Sequence, residues 1–247
     1  MAELSNRLNR LAPSATLAMS QKSNEMKAQG IDVINMSVGE PDFNTPEHIK
    51  EAGKKAIDGN FSKYSPVPGY MDLREAIVDK LKKENHLDYT TGEVIVGTGG
   101  KQGVCNTILA LVNPGDEVII PAPYWVSYPQ MAKLAGGTPV IVRAGFEQDF
   151  KMTAEQLEAA ITPKTKMLIL CSPSNPTGSV YSQEELNALA EVILKHEDIF
   201  VLSDEIYEHI NYVGKAASIA SYPGMKERTI ICNGVSKAYA MTGWRLG

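Results

Sequence analysis

A lysine and an arginine lie eight residues apart in "SKAYAMTGWRLG", residues 236–247. A partly buried lysine such as Lys237 can lose its proton and attack an aldehyde, forming a Schiff base. Arg245 can bind a phosphate through two parallel hydrogen bonds. Asp204 ends the apolar run "IFVLSD", and a carboxylate buried there requires a positive partner. Lys237 taken alone would be a surface lysine, but the three side chains together suit a ligand with an aldehyde, a phosphate and a protonated ring nitrogen.

Glycine-rich and polar stretches follow several of the apolar runs. "GTGGKQ" (97–102) leads into a predicted helix whose free N–H groups can bind a phosphate, although neither the Walker nor the dinucleotide pattern fits it. Trp125 follows the next run, and Asn175 lies between two prolines in "SPSNPTG". Taken singly, these features also fit a tight turn, a core tryptophan and a turn asparagine. The ligand that Lys237, Arg245 and Asp204 together describe is pyridoxal 5'-phosphate.

The elements that must position these residues alternate along the chain. Short β-rich runs followed by helical segments predict an α/β fold with a mostly parallel sheet. The predicted strands are 93–97, 117–122, 138–142, 166–172, 199–204 and 228–233. The predicted helices are 14–29, 45–58, 69–86, 101–112, 125–135, 153–161 and 182–196, the last with Ser182 and Glu185 as a capping box. Ligands bind such sheets beyond the carboxyl ends of the strands, where the polar stretches fall.

Composition excludes several classes of protein. The net charge is -5 over 247 residues, which disfavours nucleic-acid binding. Apolar runs such as "MLILC" are far shorter than the roughly 20 residues that span a bilayer. The three cysteines, Cys105, Cys171 and Cys232, lack metal-type spacing. We expect a cytoplasmic protein without a metal site, a nucleic-acid partner or a membrane partner.

The lysine segment "NGVSKAYAMTGWRLG" resembles the pyridoxal-lysine signature of the class I (fold-type I) aminotransferases, and most of all the bacterial-type aspartate aminotransferases. The motifs "GEPDF", "KYSPVPG", "GGKQ", "PYWVSYP", "SPSNPTG" and "SDEIYE" occur in family order. The resemblance covers the whole chain. It implies a three-layer α/β sandwich with a mostly parallel sheet, in which 46–247 form the cofactor-binding large domain. Residues 1–45 would form the N-terminal arm and part of the small domain.

The resemblance also implies a role for each ring-binding residue. Lys237 would hold the cofactor as a Schiff base and then act as the base that moves the substrate α-proton. Asp204 would pair with the ring nitrogen. Tyr207 and Asn175 would donate to the phenolic oxygen of the ring, while Trp125 would stack on its face.

The implied phosphate site is built from the glycine loop and the lysine segment. Its members would be Gly99, Gly100, Lys101, Ser236 and Arg245. Tyr64 would reach the phosphate of a neighbouring subunit, which implies a homodimer.

The substrate implied by the resemblance is a dicarboxylic amino acid such as aspartate, with 2-oxoglutarate as the acceptor. Gly39 would contact the substrate carboxylate, Lys101 and Thr16 would lie near the distal carboxylate, and Trp125 and Asn175 would line the same site. Lys101 is also explained as a solvated lysine. An aromatic or prephenate aminotransferase, a β-lyase and a non-catalytic protein of the same fold remain alternatives.

Family members continue past Gly247 and carry the arginine for the substrate α-carboxylate there. No arginine of this sequence matches it. We therefore expect an N-terminal fragment, truncated before the C-terminal small domain, with weak or no activity of its own.

Overall fold

A five-stranded, wholly parallel sheet forms the centre of the computed structural model, which describes residues 4–247. The strands are β1 (Glu117–Ala122), β2 (Thr138–Arg143), β3 (Thr165–Cys171), β4 (Phe200–Asp204) and β5 (Thr229–Cys232). They lie in the order β2-β1-β3-β4-β5. Since all five run in the same direction, their carboxyl ends meet along one edge of the sheet.

Eight α-helices are found within residues 4–247. They are α1 (Asn6–Asn9), α2 (Ala15–Ala28), α3 (Glu47–Asp58), α4 (Met71–Lys80), α5 (Gly100–Leu111), α6 (Ser127–Ala135), α7 (Ala154–Ala160) and α8 (Gln183–Ile193). A π-helical turn, Leu81–Asn85, continues α4. The predicted capping box at α8 is confirmed, because the Ser182 hydroxyl accepts from the Glu185 N–H and the Glu185 carboxylate accepts from the Ser182 N–H.

Helices cover both faces of the sheet, which confirms the predicted three-layer α/β sandwich. Val118 and Ile120 of β1 are fully buried in one core, which includes residues of α5 and α6. Ile119, between them, is fully buried in a second core, which includes residues of α7 and α8. Successive side chains of a strand point to opposite faces, so a strand covered on both sides reads as the continuous apolar run seen in the sequence.

The predicted strand 93–97 is wrong, and the sheet has five strands instead of six. A 3₁₀ turn occupies Thr91–Glu93, and the extended residues after it have scattered partners. The Val96 N–H donates to the Pro68 carbonyl at 3.0 Å, whereas Gly97 and Gly247 exchange N–H···O bonds at 2.7 and 3.1 Å. The apolar pattern there reflects a partly buried extended chain and not a ladder of strand pairing.

The N-terminal segment reaches the loop that carries Lys237. The Thr242 hydroxyl donates to the Glu40 carboxylate at 2.6 Å, and the Thr45 hydroxyl donates to the Ala240 carbonyl at 2.7 Å. The division into an arm at 1–45 and a large domain at 46–247 stays a prediction, and residues 1–3 of that arm lie outside the described residues.

Candidate active site

Asp204 is the last residue of β4, which lies between β3 and β5, and it stands at the carboxyl edge of the sheet. Its side chain is buried, between Cys171 at the end of β3 and Cys232 at the end of β5. Burial raises the pKa of Asp204 above its ordinary value, while hydrogen bonds from the Tyr128 hydroxyl and the Ile206 N–H act in the opposite direction. Within residues 4–247, no lysine, arginine or histidine forms an ion pair with this carboxylate.

Tyr128 is a site residue that the sequence analysis did not identify. Its hydroxyl, on the first turn of α6, donates to Asp204 Oδ2 at 2.6 Å, and both side chains are buried. Burial, with the negative charge of Asp204, raises the pKa of Tyr128 well above its ordinary value, so the phenol remains a donor. The aspartate is therefore held in place by a neutral group.

Lys237 lies in the loop after β5, and its side chain is half-buried. The ammonium nitrogen donates to the Gly39 carbonyl at 2.7 Å and lies 5.8 Å from the centre of the Tyr207 ring. Burial lowers the pKa of Lys237, and the nearby Glu40 carboxylate partly opposes that change. A lysine whose pKa is lowered has more of the unprotonated amine that can act as a nucleophile.

Tyr207 and Asn175 come together from the loops that follow β4 and β3. The Asn175 amide donates to the Tyr207 hydroxyl at 3.4 Å. Burial raises the pKa of Tyr207, with Cys171 and Asp204 adding to the shift. Two polar groups therefore converge beside the lysine.

The glycine loop meets Arg245 at the start of α5. The guanidinium donates to the Thr98 carbonyl at 3.2 Å, and Gly99 has a φ of +82°. A Cβ at Gly99 would lie 2.5 Å from Arg245 Nη2, so only glycine allows this approach. In the described part of the chain, the N–H groups of Gly100 and Lys101 have no backbone acceptor, as expected at a helix N-terminus.

The remaining predicted residues divide into those at this edge and those elsewhere. Ser236 is buried beside Lys237, and the ammonium nitrogen of Lys101 lies 4.9 Å from the centre of the Trp125 ring. Trp125 in turn makes an edge-to-face contact with Tyr128. Thr16, on the first turn of α2, and the fully exposed Tyr64 make no hydrogen bond to these residues within 4–247.

Residues 4–247 contain neither a cluster of metal-ligating side chains nor a helix that could span a membrane. No group of three or more His, Cys, Asp and Glu side chains there is arranged to hold a metal ion. None of the helices in that range has the length and apolar content required to cross a bilayer.

Comparison with known protein families identifies this arrangement. The family model described as "Aminotransferase class I and II" matches residues 31–247. The chain belongs to that family. As a class I and II aminotransferase family member, it carries Lys237, the buried Asp204 and the glycine loop of residues 97–102 at one edge of the sheet.

The relatives are aminotransferases whose names include their substrates. An aspartate/prephenate aminotransferase of Cereibacter sphaeroides is 55% identical over 249 residues, which cover the whole of this chain and 62% of that protein. An aspartate aminotransferase of Bacillus sp. YM-2 is 51% identical over 246 residues and is covered to 62%. This chain thus spans about 62% of the length of these curated relatives.

Solved structures agree with the fold. The aspartate aminotransferase from Thermus thermophilus with maleate superposes with a TM-score of 0.96 at 46% identity, covering all of this chain and 64% of that one. The aspartate aminotransferase from Rhizobium meliloti superposes with a TM-score of 0.97 at 44% identity, covering 62% of its chain.

Proposed function

We propose that the protein is a pyridoxal-phosphate-dependent aminotransferase that takes a dicarboxylic amino acid, aspartate first, and passes its amino group to a 2-oxo acid. The observation that carries the proposal is the buried Asp204 carboxylate, which has no cationic partner within residues 4–247. A buried carboxylate is costly unless a positive charge meets it. A protonated ring nitrogen at this strand end is such a charge, and Lys237 lies in the adjacent loop.

The site residues fit this cofactor at each of its functional groups. Bound pyridoxal phosphate supplies an aldehyde carbon and a ring that accepts electrons. The Asp204 carboxylate holds the proton on the ring nitrogen: at ~4 Å and an effective dielectric near 20, such a pair is worth about 4 kcal/mol. That energy corresponds to roughly three pKa units, enough to keep the nitrogen protonated at neutral pH.

Lys237 has two tasks in the proposed reaction, and both require an unprotonated amine. It binds the cofactor through its side-chain nitrogen, and once released it moves the proton at the substrate α-carbon. The pKa of Lys237, lowered by burial, favours that form. Tyr207 and Asn175 orient the ring through its phenolic oxygen. Trp125 covers its face.

The phosphate would be bound where the glycine loop meets the arginine. Arg245 offers two donor nitrogens, and the N–H groups of Gly100 and Lys101 add donors at the positive end of α5. The buried Ser236 completes this set.

Two observations support a dicarboxylic substrate. Lys101 places its charge 4.9 Å from the centre of the Trp125 ring, and from there it can attract the distal carboxylate of a substrate bound beside Trp125. The Bacillus relative and the Thermus and Rhizobium structures are named as aspartate aminotransferases. Prephenate is the second candidate, because the Cereibacter relative carries both names. We propose that Gly39 and Thr16 contribute to the same pocket.

We also propose a homodimer in which Tyr64 completes the partner's phosphate site. The Tyr64 side chain is fully exposed and therefore free to contact another copy. Sedimentation with added cofactor tests this: a Tyr64→Phe chain should dimerise as the parent does while losing cofactor affinity. Unchanged cofactor affinity in Tyr64→Phe would contradict the proposed contact with the partner's phosphate site.

Borohydride trapping tests the cofactor assignment directly. The chain is incubated with pyridoxal phosphate, reduced and mapped by peptide mass spectrometry. A pyridoxyl group on Lys237, absent after Lys237→Arg and retained after the matched change Lys133→Arg, supports the proposal. Labelling spread evenly over the lysines contradicts it.

Product analysis then separates the reaction types. Stoichiometric formation of the 2-oxo acid from aspartate, with the amino group retained on the cofactor, indicates transamination. Release of ammonia with loss of a β-substituent indicates a β-lyase. A higher kcat/KM for prephenate than for the 2-oxo acid of aspartate, with glutamate as donor, would favour the second candidate.

A further inference from the structure

Glu208, the residue after Tyr207, is a buried carboxylate for which the proposed reaction has no use. Its side chain is only 7% exposed. The ammonium of Lys80, from the end of α4, donates to Oε1. Asn233 donates its amide to the same oxygen at 2.5 Å, and Asn85 donates to Oε2 at 2.8 Å. Two distant segments, the end of α4 with its π-helical turn and the loop after β5, therefore meet at the Glu208 side chain.

The charge of Glu208 is stabilised by these contacts. Burial alone would raise the pKa of Glu208, but the hydrogen bonds from Lys80, Asn85 and Asn233 bring it below its ordinary value. The other ionisable groups nearby are His209, whose Nδ1 lies 3.7 Å from Oε1, and Glu84, which meets His209 Nε2 at 3.1 Å. A third is the buried Glu205, whose pKa the charge of Glu208 helps to raise. Glu208 thus stays ionised and acts as a fixed acceptor.

Asn233 connects Glu208 to the segment that carries Lys237. Its amide group donates to Glu208, while its side-chain oxygen accepts from the Gly234 N–H at 2.7 Å. Asn233 is therefore held at both ends. We call residues 233–239 the lysine loop.

The neighbours of Glu208 face the same loop. The Tyr207 ring lies 5.8 Å from the Lys237 ammonium, and the His209 ring lies 6.4 Å from that of Tyr239. Three consecutive residues, 207–209, thus each meet the lysine loop. Of the three contacts, only that of Glu208 is a hydrogen bond.

We infer that Glu208 is a positioning residue that fixes the lysine loop against Tyr207 and so sets the surroundings of the Lys237 amine. It does not touch that amine, and it acts through Asn233. The inference rests on the proposed function only in taking Lys237 as the reactive group.

Competitive acetylation across pH tests the inference without the cofactor. The parent chain, Glu208→Gln and the matched control Asn85→Ala are labelled, and each lysine is quantified by mass spectrometry against Lys164. For each lysine, the plateau of labelling at high pH reports how accessible the amine is, and the midpoint of the labelling curve reports its pKa. Glu40 and Tyr207, the groups that face Lys237, are unchanged in all three chains.

Glu208→Gln removes the charge and leaves one acceptor oxygen for the three donors Lys80, Asn233 and Asn85. We expect the lysine loop to loosen, Lys237 to become more hydrated, and the midpoint of its labelling curve to rise toward the ordinary value. Acetylation of Lys237 near pH 8 then falls about threefold for each half-unit by which the pKa of Lys237 rises. Asn85→Ala removes one hydrogen bond from the same carboxylate but leaves the Asn233 contact, so its midpoint matches the parent. If Glu208→Gln fails to fold by circular dichroism, Asn233→Ala takes its place, because it removes the hydrogen bond between Asn233 and Glu208 outright.

Three results would overturn the inference: an ordinary Lys237 midpoint in the parent chain, an unchanged midpoint in the variant, or equal shifts in the variant and in Asn85→Ala. Failure of the proposed function gives a different result, since it appears as no pyridoxyl adduct on Lys237 of the parent chain, whatever the acetylation midpoints show.

Discussion

Replacing Tyr128 by phenylalanine removes one hydroxyl and little volume. That hydroxyl donates to the buried Asp204 carboxylate at 2.6 Å, so the change leaves Oδ2 without its side-chain donor. A hydrogen bond to a charged group contributes about 1.5–3 kcal/mol, and an unsatisfied buried acceptor costs a similar amount. We expect Tyr128→Phe to lower the free energy of unfolding by about 2 kcal/mol at neutral pH.

The pH dependence of this loss has a definite sign. Burial raises the folded-state pKa of Asp204 above its ordinary value, and the Tyr128 hydroxyl opposes that rise. A raised folded-state pKa favours folding below the unfolded-state pKa, and that contribution is lost as pH increases through the folded value. Without the hydroxyl the rise is larger. The gap between variant and parent should therefore widen from acid to neutral pH.

Urea unfolding followed by circular dichroism measures this gap, with Tyr222→Phe as the matched control. Tyr222 also donates to a carboxylate, that of Glu191 at 3.2 Å, but this pair lies at the surface, so its loss should leave stability unchanged. Equal stability of the two variants at neutral pH would refute the assignment of Tyr128 as the residue that stabilises Asp204.

Three further predictions concern the glycine loop, a buried acid and a helix cap. Gly99→Ala should lower the free energy of unfolding by about 1 kcal/mol because of the positive φ at this position. It should also displace Arg245 and weaken pyridoxal phosphate binding in an absorbance titration. Gly115→Ala is the matched control, since Gly115 has a similar φ but open space around it. Burial raises the pKa of Glu205 from 4.5 to about 7. The parent chain should therefore lose about 3 kcal/mol of its free energy of unfolding as pH rises through that range. Urea unfolding should show no such loss for Glu205→Gln. Ser182→Ala should cost about 1 kcal/mol in the same assay because α8 loses its cap.

The sheet was largely predictable because its inner strands β1, β3 and β4 are buried on both faces. The predicted strand 117–122 coincides with β1, whose apolar side chains pack into both cores. The strand predicted at 93–97 failed for a physical reason: a ladder requires a partner strand, and its backbone bonds go to Pro68 and Gly247. An apolar pattern records burial, whereas strand pairing depends on where distant parts of the chain lie.

The residues of the site also include some that the sequence could reveal and some that it could not. Asp204 and Asn175 could be singled out because polar residues after strands of a parallel sheet share one edge. Tyr128 could not, because on α6 it reads as one more core aromatic, and its partner lies 76 residues away. Glu208 is bound by residues 25, 123 and 128 positions distant, and no local pattern marks such a meeting point.

The uncompensated charge of Asp204 has a consequence for how the protein would persist in a cell. A ligand that binds only the folded chain stabilises it by an amount that grows with the logarithm of ligand concentration. A ring cation at Asp204 would be such a ligand. Chains made when the cofactor is scarce would populate the unfolded ensemble more often and be removed by proteases, so the supply of cofactor would set how many copies survive as well as how many are active.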